Sequence, residues 1–276
     1  MRIDSHQHFW RFDPDRDTWI TPDMAAIQRD FLPEDLLPLL QKNNFDGCIT
    51  VQSHQSEEET LFQLGNAEKH DFIKGVVGWI DLQADDIEAR LEKFTSYKKL
   101  KGFRHVLQAE TDRALMLKPA FMNGIKYLQQ HGYTYDLLIL PDQLPYACQL
   151  AAAFPEQIFI VDHIAKPLIK ERQLNNWKKD INALAAFPNV WCKISGMVTE
   201  ADWRFWEKED FTVFLDTVTN AFGTKRILFG SDWPVCLVAA TYEEVVDIAT
   251  GYFSSLTEQE QNSFFGGNAA ECYKLN

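Results

Sequence analysis

Eight short apolar stretches divide this chain, and their spacing constrains its fold more than any other feature. They are Ile3–Phe9, Gly47–Gln52, Lys74–Ile80, Gly102–Leu107, Thr134–Leu140, Ile158–Val161, Val190–Ser195 and Ile227–Gly230. They recur at intervals of about thirty residues, the length of one strand–helix–strand unit. They lack polar alternation, which is the pattern of parallel strands buried on both faces. The intervening segments carry helix signals. Ser56-Glu57-Glu58-Glu59 has the form of a capping box, opening a helix through Leu61, Leu64 and Ala67. Thr257-Glu258-Gln259-Glu260 repeats that form near the C-terminus. Pro141 and Pro145 open a helical stretch that runs to Ala153 and stops at Pro155. Phe211, Phe214, Leu215 and Val218 recur at helical spacing.

Eight strands alternating with helices predict an α/β fold of the (β/α)8 TIM-like barrel type, with residues 1–276 as a single domain. A length of 276 residues and a hydrophobic fraction of 46% suit one such barrel and its core. An open doubly wound sheet is the alternative, but no Gly-x-Gly-x-x-Gly follows an early strand.

A barrel of this kind keeps its chemistry at the C-terminal ends of its strands. Ionisable residues cluster at those positions. His6 and His8 end the first strand two residues apart, so their imidazoles share a face and suit a metal or a polarised substrate. His54 follows the second strand, and Trp79 and Asp81 end the third. Arg104 and His105 alternate on the fourth, so only one of them faces the lumen. Tyr135 and Asp136 lie on the fifth, Asp162-His163-Ile164-Ala165-Lys166-Pro167 follows the sixth, and Lys193 and Ser195 lie on the seventh. Gly230-Ser231-Asp232-Trp233-Pro234 ends the eighth. Charged residues are seldom fully buried without a partner. Asp232 therefore points to a catalytic or ligand role, with His163 next. The plainer readings are His54 as a loop residue, Lys193 as a buried partner for a carboxylate and Asp136 as a turn cap.

The opening strand-His-x-His, the late Gly-Ser-Asp-Trp-Pro and the tail Gly267-Asn268-Ala269-Ala270-Glu271-Cys272-Tyr273 resemble the amidohydrolase superfamily. Within it, Lys101-Gly102-Phe103-Arg104-His105 and the Asp162–Pro167 segment are similar to the branch of sugar-lactone and pyrone-lactone hydrolases. That branch includes L-fuconolactonase, L-rhamnono-lactonase and 2-pyrone-4,6-dicarboxylate lactonase. The resemblance runs from His6 to the C-terminus. It implies hydrolysis of a sugar-derived lactone to the open-chain sugar acid. A pyrone-dicarboxylate lactonase and a metal-dependent decarboxylase of the same superfamily are the alternatives. A non-catalytic sugar-acid-binding barrel would not need His6, His8, His163 and Asp232 together.

Binuclear members of the superfamily use a carboxylated lysine on strand four and a histidine on strand five. This chain has Arg104-His105 and Tyr135-Asp136 there. The expectation is at most one divalent cation on His6, His8, His163 and Asp232, or none. Zinc best matches nitrogen and carboxylate ligands, and the ion is expected to be dispensable. Asp232 is the expected general base, which later returns the proton to the leaving alkoxide. His6, His8 and His163 would polarise the carbonyl, Arg104 would grip the lactone, and Lys193 would add positive charge at the oxyanion. His54, Trp10, Trp79 and Trp233 are the candidate substrate contacts, with Trp19 in the first loop. Arg104, Lys166 and Lys193 are the obvious strand-end cations, too few for a dicarboxylate, which favours a neutral sugar lactone.

The formal net charge of −13 argues against nucleic acid and anionic membrane as partners. The five cysteines are widely spaced, without a Cys-x-x-Cys, and read as free thiols in a reducing compartment. The first thirty residues are polar and acidic rather than leader-like, and no run reaches membrane-spanning length. The expectation is a cytoplasmic protein with a small-molecule substrate, compatible with a homo-oligomer.

Overall fold

All eight stretches are strands in the computed structural model, which describes residues 1–275. They are β1 (Ile3–Gln7), β2 (Gly47–Val51), β3 (Ile73–Gly78), β4 (Leu100–His105), β5 (Thr134–Leu137), β6 (Phe159–Val161), β7 (Val190–Ile194) and β8 (Ile227–Phe229). Each pairs in parallel with the next. The ring closes just past β8, where His8 N donates to Trp233 O at 2.7 Å and Asp232 N to His6 O at 2.8 Å. Closure itself therefore sets Asp232 beside the first-strand histidines.

The principal helices are α1 (Pro33–Lys42), α2 (Glu57–Lys69), α3 (Ile87–Glu92), α4 (Pro119–His131), α5 (Leu144–Ala153), α6 (Asn175–Ala185), the single-turn α7 (Met197–Glu200), α8 (Lys208–Phe222) and α9 (Tyr242–Tyr252). Ser56 caps α2 by accepting from Glu59 N at 3.0 Å. The Glu59 carboxylate does not complete the reciprocal box. It accepts instead from Ser53 and Gln63. Phe211, Phe214, Leu215 and Val218 all face the core from α8.

The main apolar core lies between the strands and the helices. A smaller one fills the barrel near the N-terminal ends of the strands. There Ile3, Ile49, Val77 and Leu228 meet Ala269, Cys272 and Tyr273 of the C-terminal tail. This end is packed shut, which leaves the opposite mouth for chemistry. The five cysteines are unpaired, as expected. Among the described residues, no helix is long and apolar enough to cross a membrane.

Candidate active site

The polar network begins in mid-barrel, below the mouth. Lys193 of β7 is fully buried, with Nζ 2.5 Å from Asp136 Oδ2 and 3.0 Å from Asp162 Oδ1. Tyr273 also donates to Asp136, at 2.8 Å. Burial pushes the Lys193 ammonium down, but the two carboxylates outweigh it and hold the lysine charged. Burial likewise pushes the Asp162 carboxyl up, and Lys193, His6 and Arg104 reverse that and keep it ionised. Lys193 is thus the buried partner of two carboxylates. It is not among the residues lining the cavity above, which corrects its expected place at the oxyanion. Asp136 is likewise an ion-pair partner and not a turn cap.

One layer higher, Arg104 Nη1 donates to Asp162 Oδ2 at 3.0 Å, and Nη2 donates to the Gln52 carbonyl. His105 points away from the lumen, with Nε2 2.7 Å from Glu110. The alternation on β4 therefore resolves in favour of Arg104.

The histidines and Asp232 converge at the floor of the mouth. His6 Nε2 lies 3.2 Å from His8 Nε2. Asp232 Oδ1 stands 3.4 Å from His8, 3.7 Å from His6 and 3.8 Å from His163, all at Nε2. Burial raises the Asp232 carboxyl, but His163, His8 and His6 overcompensate and hold it below the ordinary carboxylate range. Burial lowers His163 to about 4 and His6 well below its usual value, so both rings are neutral near pH 7.

Local backbone geometry seats His163. Residues His163, Ile164, Ala165 and Lys166 have φ of 53°, 49°, 58° and 48°, a left-handed turn directly after β6. A β-branched residue such as Ile164 rarely adopts this conformation. Such residues cost about 1–3 kcal/mol each and cluster at functional sites. Trp177 Nε1 pins the turn by donating to Ile164 O at 2.8 Å, and Ser195 Oγ meets His163 Nδ1 at 2.9 Å. Gly196, at φ 62°, makes the room: a Cβ there would lie 2.5 Å from His163 Nδ1.

The donor set fits one metal ion. His8 Nδ1 donates to Val51 O at 2.7 Å, which leaves Nε2 as a lone pair. His6 Nδ1 lies between a donor, Lys193 Nζ at 3.1 Å, and an acceptor, Asp162 Oδ1 at 3.2 Å. Asp162 Oδ1 is buried and, apart from the Lys193 ammonium at 3.0 Å, has no other hydrogen-bond donor. A proton on His6 Nδ1 satisfies it and leaves a lone pair on Nε2, which Arg104 Nη1 approaches at 3.4 Å. Two imidazole lone pairs and a carboxylate then face one another and call for a cation. His6, His8 and Asp232 offer ligand atoms within 4.8 Å of one another. Ligands placed about 2.0–2.2 Å from a tetrahedral ion stand about 3.3–3.6 Å apart, close to the spacings here.

Above this floor opens a cavity of about 490 Å³, lined in part by His8, His54, Arg104, His163 and Asp232. His54 thus reaches the expected place. The tryptophans do not. Trp10, Trp79 and Trp233 are absent from the lining. Trp10 is buried against Phe31 and donates to Arg29 O at 2.9 Å. Trp233 packs edge-on against Phe9 and Phe31, and Trp79 Nε1 meets His105 at 3.3 Å. The aromatic walls are Trp19 and Trp203. Trp203, Glu200, Gln55 and Gln108 were not found by sequence reasoning because they lie beyond the strand ends, in segments with no motif. Asp162 had a signal: it adjoins His163 in a charged run at a strand end.

The family model described as amidohydrolase matches residues 3–275. The chain is 40% identical to the L-fucono-1,5-lactonase of Burkholderia multivorans, over all of this chain and 96% of that protein. It is 33% identical to the L-fucono-1,5-lactonase of Burkholderia ambifaria, over all of this chain and 96% of that protein. The crystal structure of a Burkholderia multivorans amidohydrolase with bound zinc superposes at a TM-score of 0.97, with 40% identity and full coverage of both chains.

Proposed function

The chain belongs to the amidohydrolase family, and from that premise we propose that it hydrolyses a sugar-derived lactone to the open-chain sugar acid. The observation that carries this reading is full-length likeness, at 40% and 33% identity, to two proteins named L-fucono-1,5-lactonase. The ionised carboxylate, neutral imidazoles and guanidinium at the floor of one cavity are the groups that ester hydrolysis requires.

Asp232, ionised at the cavity floor, takes a proton from water. The water oxygen forms a bond to the lactone carbonyl carbon, and the carbonyl electrons move onto its oxygen. Arg104 lies on the cavity wall to orient that oxygen or a substrate hydroxyl. The intermediate collapses with cleavage of the ring C–O bond, and Asp232 returns its proton to the departing alkoxide. Charge neutrality of His6 and His163 leaves their nitrogens free to accept a proton or hold a cation. A divalent cation on His6, His8 and Asp232, with His163 adjacent, would supply Lewis acidity to the carbonyl. The nitrogen-rich donor set suits zinc.

The test is a pH-indicator assay of an aldonolactone panel, with and without chelator. Acid release from aldonolactones supports the reading. Release of carbon dioxide from aromatic acids, with no acid from lactones, would replace it with a decarboxylase. The chelator arm decides whether the ion is dispensable.

A further inference from the structure

The cavity carries a second charged feature beside the His–Asp floor. Its lining includes two fixed cations, Arg104 and Lys166, and both already have carboxylate partners. Arg104 is engaged by Asp162 at 3.0 Å. Lys166 Nζ is engaged by Glu200 at 2.9 Å, and Glu200 is itself a lining residue. The pair is sheltered, with side-chain exposures of 19% and 21%. Both backbones are anchored. Lys166 ends the left-handed turn that seats His163, its N–H donating to His163 O at 2.8 Å. Glu200 ends α7, with its carbonyl accepting from Lys170 N at 3.0 Å. Neither residue is needed to complete the catalytic floor.

We infer that Glu200 is a specificity-determining residue: by neutralising Lys166 it makes the cavity accept a neutral polyhydroxylated lactone and reject one bearing a carboxylate. This rests on the lactonase reading above. A neutral sugar offers hydroxyls, and a lysine–carboxylate pair presents both a donor and an acceptor to them. An anionic substituent meets Glu200 at close range in a sheltered site, where like-charge repulsion is weakly screened. Without the Glu200 charge, Lys166 becomes an unpaired ammonium and a receptor for a carboxylate. Specificity then turns on one acidic group rather than on the number of cations.

The experiment uses L-galactono-1,4-lactone and L-galactaro-1,4-lactone, which differ in a terminal CH2OH against CO2−. Rates are measured for the native chain, Glu200→Gln, Lys166→Met and the double variant. Glu200→Gln should raise kcat/KM for the carboxylated lactone relative to the neutral one by tenfold or more, mainly through KM. The double variant should lose that gain, because no ammonium remains to receive the carboxylate. An unchanged ratio in Glu200→Gln overturns the inference, and so does a gain that survives in the double variant. A native chain that already prefers the carboxylated lactone overturns it too. A native chain inert toward these and all other aldonolactones instead overturns the lactonase reading, and the inference falls with it.

Discussion

Asp232 is where residue-scale chemistry concentrates. Its carboxylate stands within 3.8 Å of three imidazoles, and the proposed mechanism makes it the base that takes the proton of the attacking water. Asn preserves its shape but accepts no proton. Asp232→Asn should lower kcat by about 10²–10⁴, the range for a lost general base, with circular dichroism unchanged. A folded variant keeping most of its turnover would remove Asp232 from the mechanism. Gly196 makes a second demand on a single residue. Gly196→Ala sets a methyl 2.5 Å from His163 Nδ1 at a φ of 62°. It should destabilise the fold by about 1–3 kcal/mol and reduce kcat; a variant with native thermal midpoint and native kcat would show that the turn has slack. Asp232 and His163 were legible in the sequence because charge at the end of a buried strand is hard to explain otherwise. Trp10, Trp79 and Trp233 were misread because tryptophan packs into a core as readily as it lines a pocket. Only the fold shows that Trp10 and Trp233 face Phe31.

At the scale of elements, β7 and the turn after β6 hold the floor in place. Lys193 carries two buried carboxylates on one ammonium. Removing one member of such a network leaves charge uncompensated, so Lys193→Met should cost about 3–5 kcal/mol in urea unfolding. The double variant Lys193→Met, Asp136→Asn should recover part of that loss. Equal stability of all three chains would mean the network is not coupled. The turn also ties stability to pH. Burial lowers His163 to about 4 in the native chain, against about 6.5 when unfolded. Between those values the unfolded chain binds the proton and the native chain does not. The stability that His163 contributes is therefore full above about pH 6.5 and lost as pH falls through about 4, up to about 3 kcal/mol. Metal-free protein should lose stability between pH 7 and pH 4.5, and His163→Asn should flatten that slope. A slope unchanged by the substitution would assign the effect to other groups, His6 first. The strand order was legible because periodicity records it. The network was not, because the partners of Lys193 lie 57 and 31 residues away in sequence, and only the pairing of β5, β6 and β7 brings them together.

For the whole molecule, the ring of strands decides how many ions the site can hold. The sequence argues for at most one ion, from what strands four and five lack. The structure gives a second, independent reason. Two ligand groups share His6: one adds His8 and Asp232, the other Asp162 and His163. The second is already spoken for, since Asp162 lies 3.0 Å from Lys193 Nζ and 3.0 Å from Arg104 Nη1. A dication placed there would face an ammonium and a guanidinium in a buried setting, where charge repulsion is weakly screened. In the first group those cations reach only the neutral His6, at 3.1 Å and 3.4 Å, and among the described residues no lysine or arginine pairs with Asp232. Metal analysis of the purified chain should therefore find one equivalent at most. His8→Ala should release it and lower the thermal midpoint relative to the loaded protein, because an ion bound only by the native state stabilises that state. Lys193→Met frees Asp162 and tests the argument from the other side. If the ammonium is what excludes a second ion, that variant should gain affinity for one, read as a rise toward two equivalents on titration with zinc. Two equivalents in the native chain, with both needed for activity, would show that the buried cations do not set the limit.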